Sequence, residues 1–154
     1  MTQTTCSAVR PCEALTDKIA TRTARVGIVG LGYVGLPLAV EFAKAGFFVT
    51  GIDVIESKIA RINAGDSYVQ DVASSDIEAL VNSGKLRATT DFAVISELDT
   101  INICVPTPLR KTKDPDMSYI VSACQEIARY FHPGMLAILE MSVGERARQG
   151  IWHP

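Results

Sequence analysis

Apolar positions along this chain change period several times, and each change marks an element. Arg25 to Gly30 is a short run in which Val26, Ile28 and Val29 are β-branched and a glycine closes it, which predicts a buried strand. From Val34 the spacing becomes helical, through Leu38, Phe42 and Ala45, and Gly46 stops the helix. Pro37 falls in the first turn, where a missing N–H costs little. Phe47 to Asp53 predicts a second strand ending on an acid, and Ile55, Ile59 and Ile62 a short helix that stops near Gly65. The loop Gly65-Asp66-Ser67-Tyr68-Val69 carries a Tyr-Val pair that reads as buried. Ser75 and Glu78 stand in capping-box relation ahead of Leu80 and Val81, with Gly84 as the stop. Leu86 to Thr90 and Thr100 to Val105 are further strands, the second apolar enough to lie inside a parallel sheet. After a proline-punctuated loop from Pro106 to Pro115, helical spacing returns at Ile120, Cys124, Ile127 and Phe131, capped by Asp116 or Ser118. Met135 to Leu139 is a last strand.

Strands alternating with helices are joined by right-handed crossovers. The expected fold is therefore α/β: a Rossmann-type, doubly wound parallel sheet in strand order 3-2-1-4-5, with its switch point beside the first strand and no strand after the fifth. Residues 1–24, rich in Thr, Ser and scattered charge, are expected to form a flexible leader with at most a helical turn around Glu13 to Ala20. Residues 25–140 form the domain proper.

Composition narrows the picture. The chain has 154 residues, 47% hydrophobic and 21% charged, the profile of one soluble folded domain. A formal net charge of -2 gives no reason to expect nucleic acid or an anionic membrane as partner. No apolar run approaches the length of a membrane span, and the N-terminus lacks the apolar region of a secretory signal, so the expected location is cytoplasmic. The four cysteines form neither a CxxC pair nor a Cys/His cluster, so no metal site is expected. Cys6 and Cys12 lie in the leader, whereas Cys104 and Cys124 read as small buried hydrophobes with reduced thiols. His132 and His153 stand alone and read as surface residues.

The candidate chemistry begins at Gly30-Leu31-Gly32-Tyr33-Val34-Gly35. G-x-G-x-x-G alone is a weak signal, but here it follows a strand, opens a helix and is followed 18 residues after Gly35 by Asp53 at the end of the next strand. In a dinucleotide site Gly30 makes the tight turn, Gly32 lets backbone approach the pyrophosphate and Gly35 lets the helix pack closely. The N–H groups of Tyr33 and Val34 would meet phosphate oxygens at the positive end of the helix dipole. Asp53 would accept from the adenosine ribose and repel a 2′-phosphate, favouring NAD over NADP. The bland reading is a glycine turn beside a solvated aspartate, and the glycines alone also suit an FAD or S-adenosylmethionine site. A Walker loop is excluded because no Gly-Lys-Ser/Thr follows. The second stretch, Cys104-Val105-Pro106-Thr107-Pro108-Leu109, lies at the C-terminal end of a strand, where open α/β sheets bind ligands. Its prolines fix the backbone around Thr107, either to present that hydroxyl to a cofactor or simply to make a rigid loop.

Taken together, the Gly30–Pro37 stretch, the spacing from Asp53 to Lys58, the Cys104–Leu109 loop and Leu139-Glu140 resemble the NAD-binding domain of the nucleotide-sugar 6-dehydrogenases, the UDP-glucose/GDP-mannose dehydrogenase family. Segments 65–72, 84–91 and 115–120 look most like its UDP-N-acetylglucosamine 6-dehydrogenase branch, which supplies precursors of bacterial surface polysaccharides. The resemblance implies an NAD-dependent oxidoreductase that oxidises the C6 alcohol of a UDP-sugar to a carboxylate, using two NAD. It also implies cofactor contacts at Gly30, Gly32, Tyr33, Val34, Gly35, Asp53, Lys58 and Thr107, although Lys58 reads equally well as a solvated helix lysine. The family's catalytic cysteine, with its lysine and asparagine helpers, has no match, so no catalytic residue is assigned. The family's Glu-Ser-Thr-Thr is replaced here from Met141 onward, so residues 141–154 are expected to be an aberrant tail on a truncated, catalytically incompetent product. The alternative expectation is a non-enzymatic nucleotide-binding module or an inert fragment. The family's dimer-forming helix lies beyond this chain, so the resemblance implies no oligomeric state.

Overall fold

The structure is a computed structural model that describes residues 11–108 and 115–140. Cys6, the loop segment from Leu109 to Asp114, and the tail from Met141 with His153 lie outside the described residues. In chain order the elements are α1 (Pro11–Ala20), β1 (Arg25–Val29), α2 (Gly35–Lys44), β2 (Phe48–Ile52), α3 (Glu56–Asn63), α4 (Ser74–Asn82) and β3 (Leu86–Thr89). A 3₁₀ segment (Phe92–Glu97), β4 (Thr100–Ile103), α5 (Ser118–Ala128) and β5 (Leu136–Leu139) complete the set.

The five strands form one sheet in the order β3-β2-β1-β4-β5, every pairing parallel, as the alternation of strand and helix patterns predicts. β1 is central because Val26, Ile28 and Val29 are buried together, which requires cover on both faces. One face packs Val26, Ile28, Val49 and Leu86 against Leu36, Ala39, Val40 and Ala43 of α2, Ile62 of α3 and Ile77 of α4. The other packs Val29, Ile52, Ile101 and Ile103 against Ile95 and Leu98 of the 3₁₀ region and Ala123 and Ile127 of α5. Among the described residues both faces run out of cover at β5, where Leu136 and Ile138 on the first face and Leu139 on the second are exposed.

Several local expectations are corrected. A full helix of ten residues occupies Pro11–Ala20 where only a turn is predicted. Two residues past its end, Arg22 has a φ of 59°, the left-handed conformation that closes helices. Lys18 Nζ reaches Asp99 Oδ1 at 2.6 Å, and Arg22 donates to the Ala45 carbonyl, so tertiary contacts hold an element of weak local pattern. The Ser75–Glu78 capping box does not form: α4 begins at Ser74 behind Ala73, with no side-chain cap. Asp116 does serve α5, its Oδ1 accepting from Ser118 N–H at 3.1 Å from outside the cap position, which Met117 holds. Cys124 is exposed rather than buried, because small Ala123 takes the inward position between Ile120 and Ile127. His132 is half-buried, and its Nε2–H donates to the Leu98 carbonyl at 2.9 Å.

Candidate functional site

At the C-terminal edge of the sheet, the ends of β1, β2 and β4 enclose a cleft of about 930 Å³. Gly30, Gly32, Tyr33, Val34, Asp53, Lys58 and Thr107 all line it. These residues come from three chain segments, and the strand order brings them together beside the switch point. Gly35, the eighth residue expected in the site, lies beneath the cleft. A Cβ there would stand 1.8 Å from the Gly30 carbonyl oxygen, so the residue sets how closely α2 approaches the turn.

The other two glycines differ in kind. Gly30 has φ +91°, and a Cβ on it would meet the Cys104 carbonyl at 2.8 Å. A Cβ on Gly32 would meet nothing within 4 Å, and that open space belongs to the cleft. Just beyond it the N–H groups of Tyr33 and Val34 make no hydrogen bond among the described residues. Val34 is the N-cap of α2 and no side chain caps that helix end. Unpaired donors at a helix N-terminus beside a space free of side chains fit an anionic pyrophosphate.

Asp53 is only 7% exposed, so the solvated aspartate of the bland reading is not what folds. Its Oδ2 accepts from Leu31 N–H at 2.8 Å and from Lys58 Nζ at 3.0 Å, and its Oδ1 accepts from Ile55 N–H at 3.0 Å. A carboxylate offers roughly four acceptor positions, which leaves capacity on Oδ1 for a ribose hydroxyl. Lys58 is therefore not a free surface lysine: its ammonium sits in the cleft wall and offsets part of the Asp53 charge. Between the end of β2 and α5 the cleft continues into an apolar slot of about 260 Å³, walled in part by Ile55, Val105, Pro106, Tyr119 and Ala123. Its size and apolar lining suit an aromatic base.

Cys104 is a nearly buried part of the cleft wall. Burial, reinforced by the Glu140 carboxylate, pushes its thiol up to about 11, so at neutral pH it is a packing residue and not a nucleophile. Sequence reasoning missed two cleft residues, Arg61 and Tyr68. Arg61 donates from Nε to Asp66 at 2.6 Å and from a terminal nitrogen to the Ser67 carbonyl at 2.6 Å, and its guanidinium lies 5.4 Å from the Tyr68 ring centre. The only signal for either residue is the buried look of the Tyr68-Val69 pair.

A family model described as the UDP-glucose/GDP-mannose dehydrogenase family, NAD binding domain, matches residues 24–153. The chain belongs to this family. As a member of the UDP-glucose/GDP-mannose dehydrogenases it carries their NAD-binding domain, and the match runs past Glu140, where the sequence resemblance breaks off. It is 36% identical over 130 residues to UDP-N-acetyl-D-mannosamine dehydrogenase of Salmonella typhi, a span of 82% of this chain and 30% of that protein. It is 41% identical over 105 residues to GDP-mannose 6-dehydrogenase of Pseudomonas savastanoi pv. phaseolicola, a span of 67% of this chain and 24% of the relative. A crystal structure of a ternary complex of GDP-mannose dehydrogenase from Pseudomonas aeruginosa matches with a TM-score of 0.73 at 32% identity, over 82% of this chain and 30% of that one. The chain thus spans less than a third of these relatives. Their sugars also differ from the N-acetylglucosamine expected from the sequence.

Proposed function

We propose that these residues are the cofactor-binding part of a UDP-N-acetylhexosamine 6-dehydrogenase, and that alone they bind NAD without turning over sugar. The carrying observation is the single cleft in which seven of the eight expected residues meet over the open space at Gly32. The Tyr33 and Val34 amides hold the pyrophosphate, Asp53 the adenosine ribose, the Ile55–Pro106 slot the adenine, and Thr107 the far side of the cofactor. Bound NAD would supply the hydride acceptor; oxidising a C6 alcohol to a carboxylate takes two such transfers, with water providing the second oxygen. The chain contributes orientation and electrostatics. Cys104 is held protonated and the chain spans less than a third of its relatives, so the sugar chemistry is assigned to other parts of a longer enzyme. The sugar is the epimer at issue: segments 65–72, 84–91 and 115–120 favour N-acetylglucosamine, the Salmonella relative N-acetylmannosamine. No helix among the described residues is long and apolar enough to cross a membrane, and thiols such as Cys104 stay reduced in the cytoplasm, where we place the protein.

Calorimetric titration of the 154-residue chain tests the reading. NAD is expected to bind more tightly than NADP, and Asp53→Ala to weaken NAD. A folded chain that binds neither cofactor would favour a non-enzymatic module or inert fragment. Oxidation of either UDP-N-acetylhexosamine by the chain alone would refute its incompetence. Adding the downstream catalytic part of a relative in trans and comparing the two epimers addresses the sugar.

A further inference from the structure

The peptide groups on both sides of Leu31, the residue between the first two glycines, are held by side chains. Its N–H donates to Asp53 Oδ2 at 2.8 Å, and its carbonyl accepts from the Tyr68 hydroxyl at 2.5 Å. Leu31 itself is fully buried, so its side chain cannot swing the backbone about. Because each peptide unit is planar, the first bond fixes the plane joining Gly30 to Leu31, and the second fixes the plane joining Leu31 to Gly32. Gly32 is the point of weakness. It lacks a Cβ, nothing lies within 4 Å of where one would be, and glycine gives up more backbone freedom on ordering than any other residue. The Tyr33 and Val34 amides follow directly, so the direction of the plane before Gly32 determines where those donors point.

We propose that Tyr68 is a positioning residue of the cofactor site: its hydroxyl, 37 residues along the chain from Leu31, locks the glycine turn in the conformation that presents the Tyr33 and Val34 amides to a pyrophosphate. This rests on the reading of the cleft as an NAD site. Three features keep Tyr68 in place as a donor. Arg61 anchors the 65–68 loop through Asp66 and the Ser67 carbonyl. The Tyr68 ring has cations near it, Arg61 at 5.4 Å and Lys58 at 6.0 Å from its centre. Burial, and then the Asp53 carboxylate, push the phenol above its ordinary range, so the hydroxyl keeps its proton at any physiological pH. Lys58 thus stands between two residues that grip opposite sides of Leu31, bonded to Asp53 and near the Tyr68 ring.

The test is Tyr68→Phe in the full chain, which keeps the ring and removes only the hydroxyl. Two readouts are compared: the Gly32 amide resonance of the ligand-free protein, which shares a peptide plane with the Leu31 carbonyl, and the affinities for NAD and for adenosine. The expected result is a displaced and broadened Gly32 signal, an NAD dissociation constant raised by about tenfold, the order of one oriented hydrogen bond, and unchanged adenosine binding. An unmoved Gly32 signal overturns the proposal, with or without ligand. A moved signal with unchanged NAD affinity, or equal losses for NAD and adenosine, also overturns it, because Tyr68 would then be packing alone. Wild-type protein that shows no NAD binding would overturn the reading of the cleft, while the Gly32 signal would still report whether Tyr68 holds the turn.

Discussion

Two alanine substitutions three positions apart should have opposite consequences. At Gly35 an added methyl would lie 1.8 Å from the Gly30 carbonyl oxygen and 3.2 Å from Cys104 Cβ. The first neighbour is backbone, so no rotamer change relieves the overlap, and α2 must retreat by about an ångström from a closely packed turn. Overpacking of this kind costs about 1–3 kcal/mol, and the upper end applies where backbone meets backbone. At about 2–4 °C per kcal/mol for a chain of this size, Gly35→Ala should lower the melting temperature by about 6–12 °C. At Gly32 the methyl meets no protein atom within 4 Å, so stability should hold or rise slightly as the unfolded chain loses freedom. That methyl occupies the space assigned to the pyrophosphate, and NAD affinity should fall by more than about tenfold, the equivalent of about 1.4 kcal/mol. Thermal melts and calorimetry on the two variants separate the effects. A Gly35→Ala protein as stable as wild type would refute the packing argument. A Gly32→Ala protein that binds NAD normally would move the pyrophosphate elsewhere.

Other expectations concern acid, thiol chemistry and the sheet edge. Burial works against ionisation of Asp99, but the Arg25 N–H and the Lys18 ammonium outweigh it and hold its carboxyl below the usual range. The sign follows: the folded state binds the proton less readily than the unfolded, so this contribution is complete above the ordinary carboxylate value of about 3.9 and is lost as pH falls through the depressed one. Acid melts of Asp99→Asn should lack that limb, by no more than about 1 kcal/mol since Lys18 is half exposed. Iodoacetamide on the native chain should modify Cys124 and spare Cys104, with both labelled in urea; labelling of native Cys104 would contradict its burial and raised thiol. The exposed Leu136, Ile138 and Leu139, on an edge unpaired among the described residues, predict concentration-dependent association, which Ile138→Lys should suppress in light scattering.

The central strands and the glycine site were legible because their signals are local. β-branched runs ending at glycine mark β1, and each glycine of the G-x-G-x-x-G run has a job set by its own backbone. Asp53 was legible by position, yet its partners were not: Leu31 lies 22 residues away, and nothing in the pattern shows that the acid is buried. Tyr68 and Arg61 escaped because their roles depend on a loop folding back over α3, a tertiary event without periodicity. Cys124 and Phe131 misled for the converse reason. Both continue an apolar helical spacing, but the stripe of α5 that docks on the sheet runs through Ala123, and the helix ends at Ala128, three residues before the exposed Phe131.

Among the described residues β5 joins the sheet through β4 alone and is open to solvent on both faces, so its local opening costs much less than that of β1. Glu140, at its end, is a wall of the cleft and leaves with it. A cofactor that needs this wall binds only the fraction of molecules in which the strand is docked, and its apparent dissociation constant is the intrinsic one divided by that fraction. Any polypeptide that settles on β5 raises that fraction, and so tightens NAD from a distance without contacting it. By reciprocity NAD strengthens the grip of that polypeptide by the same factor. The β5 edge would thereby link cofactor occupancy to whatever docks on that strand.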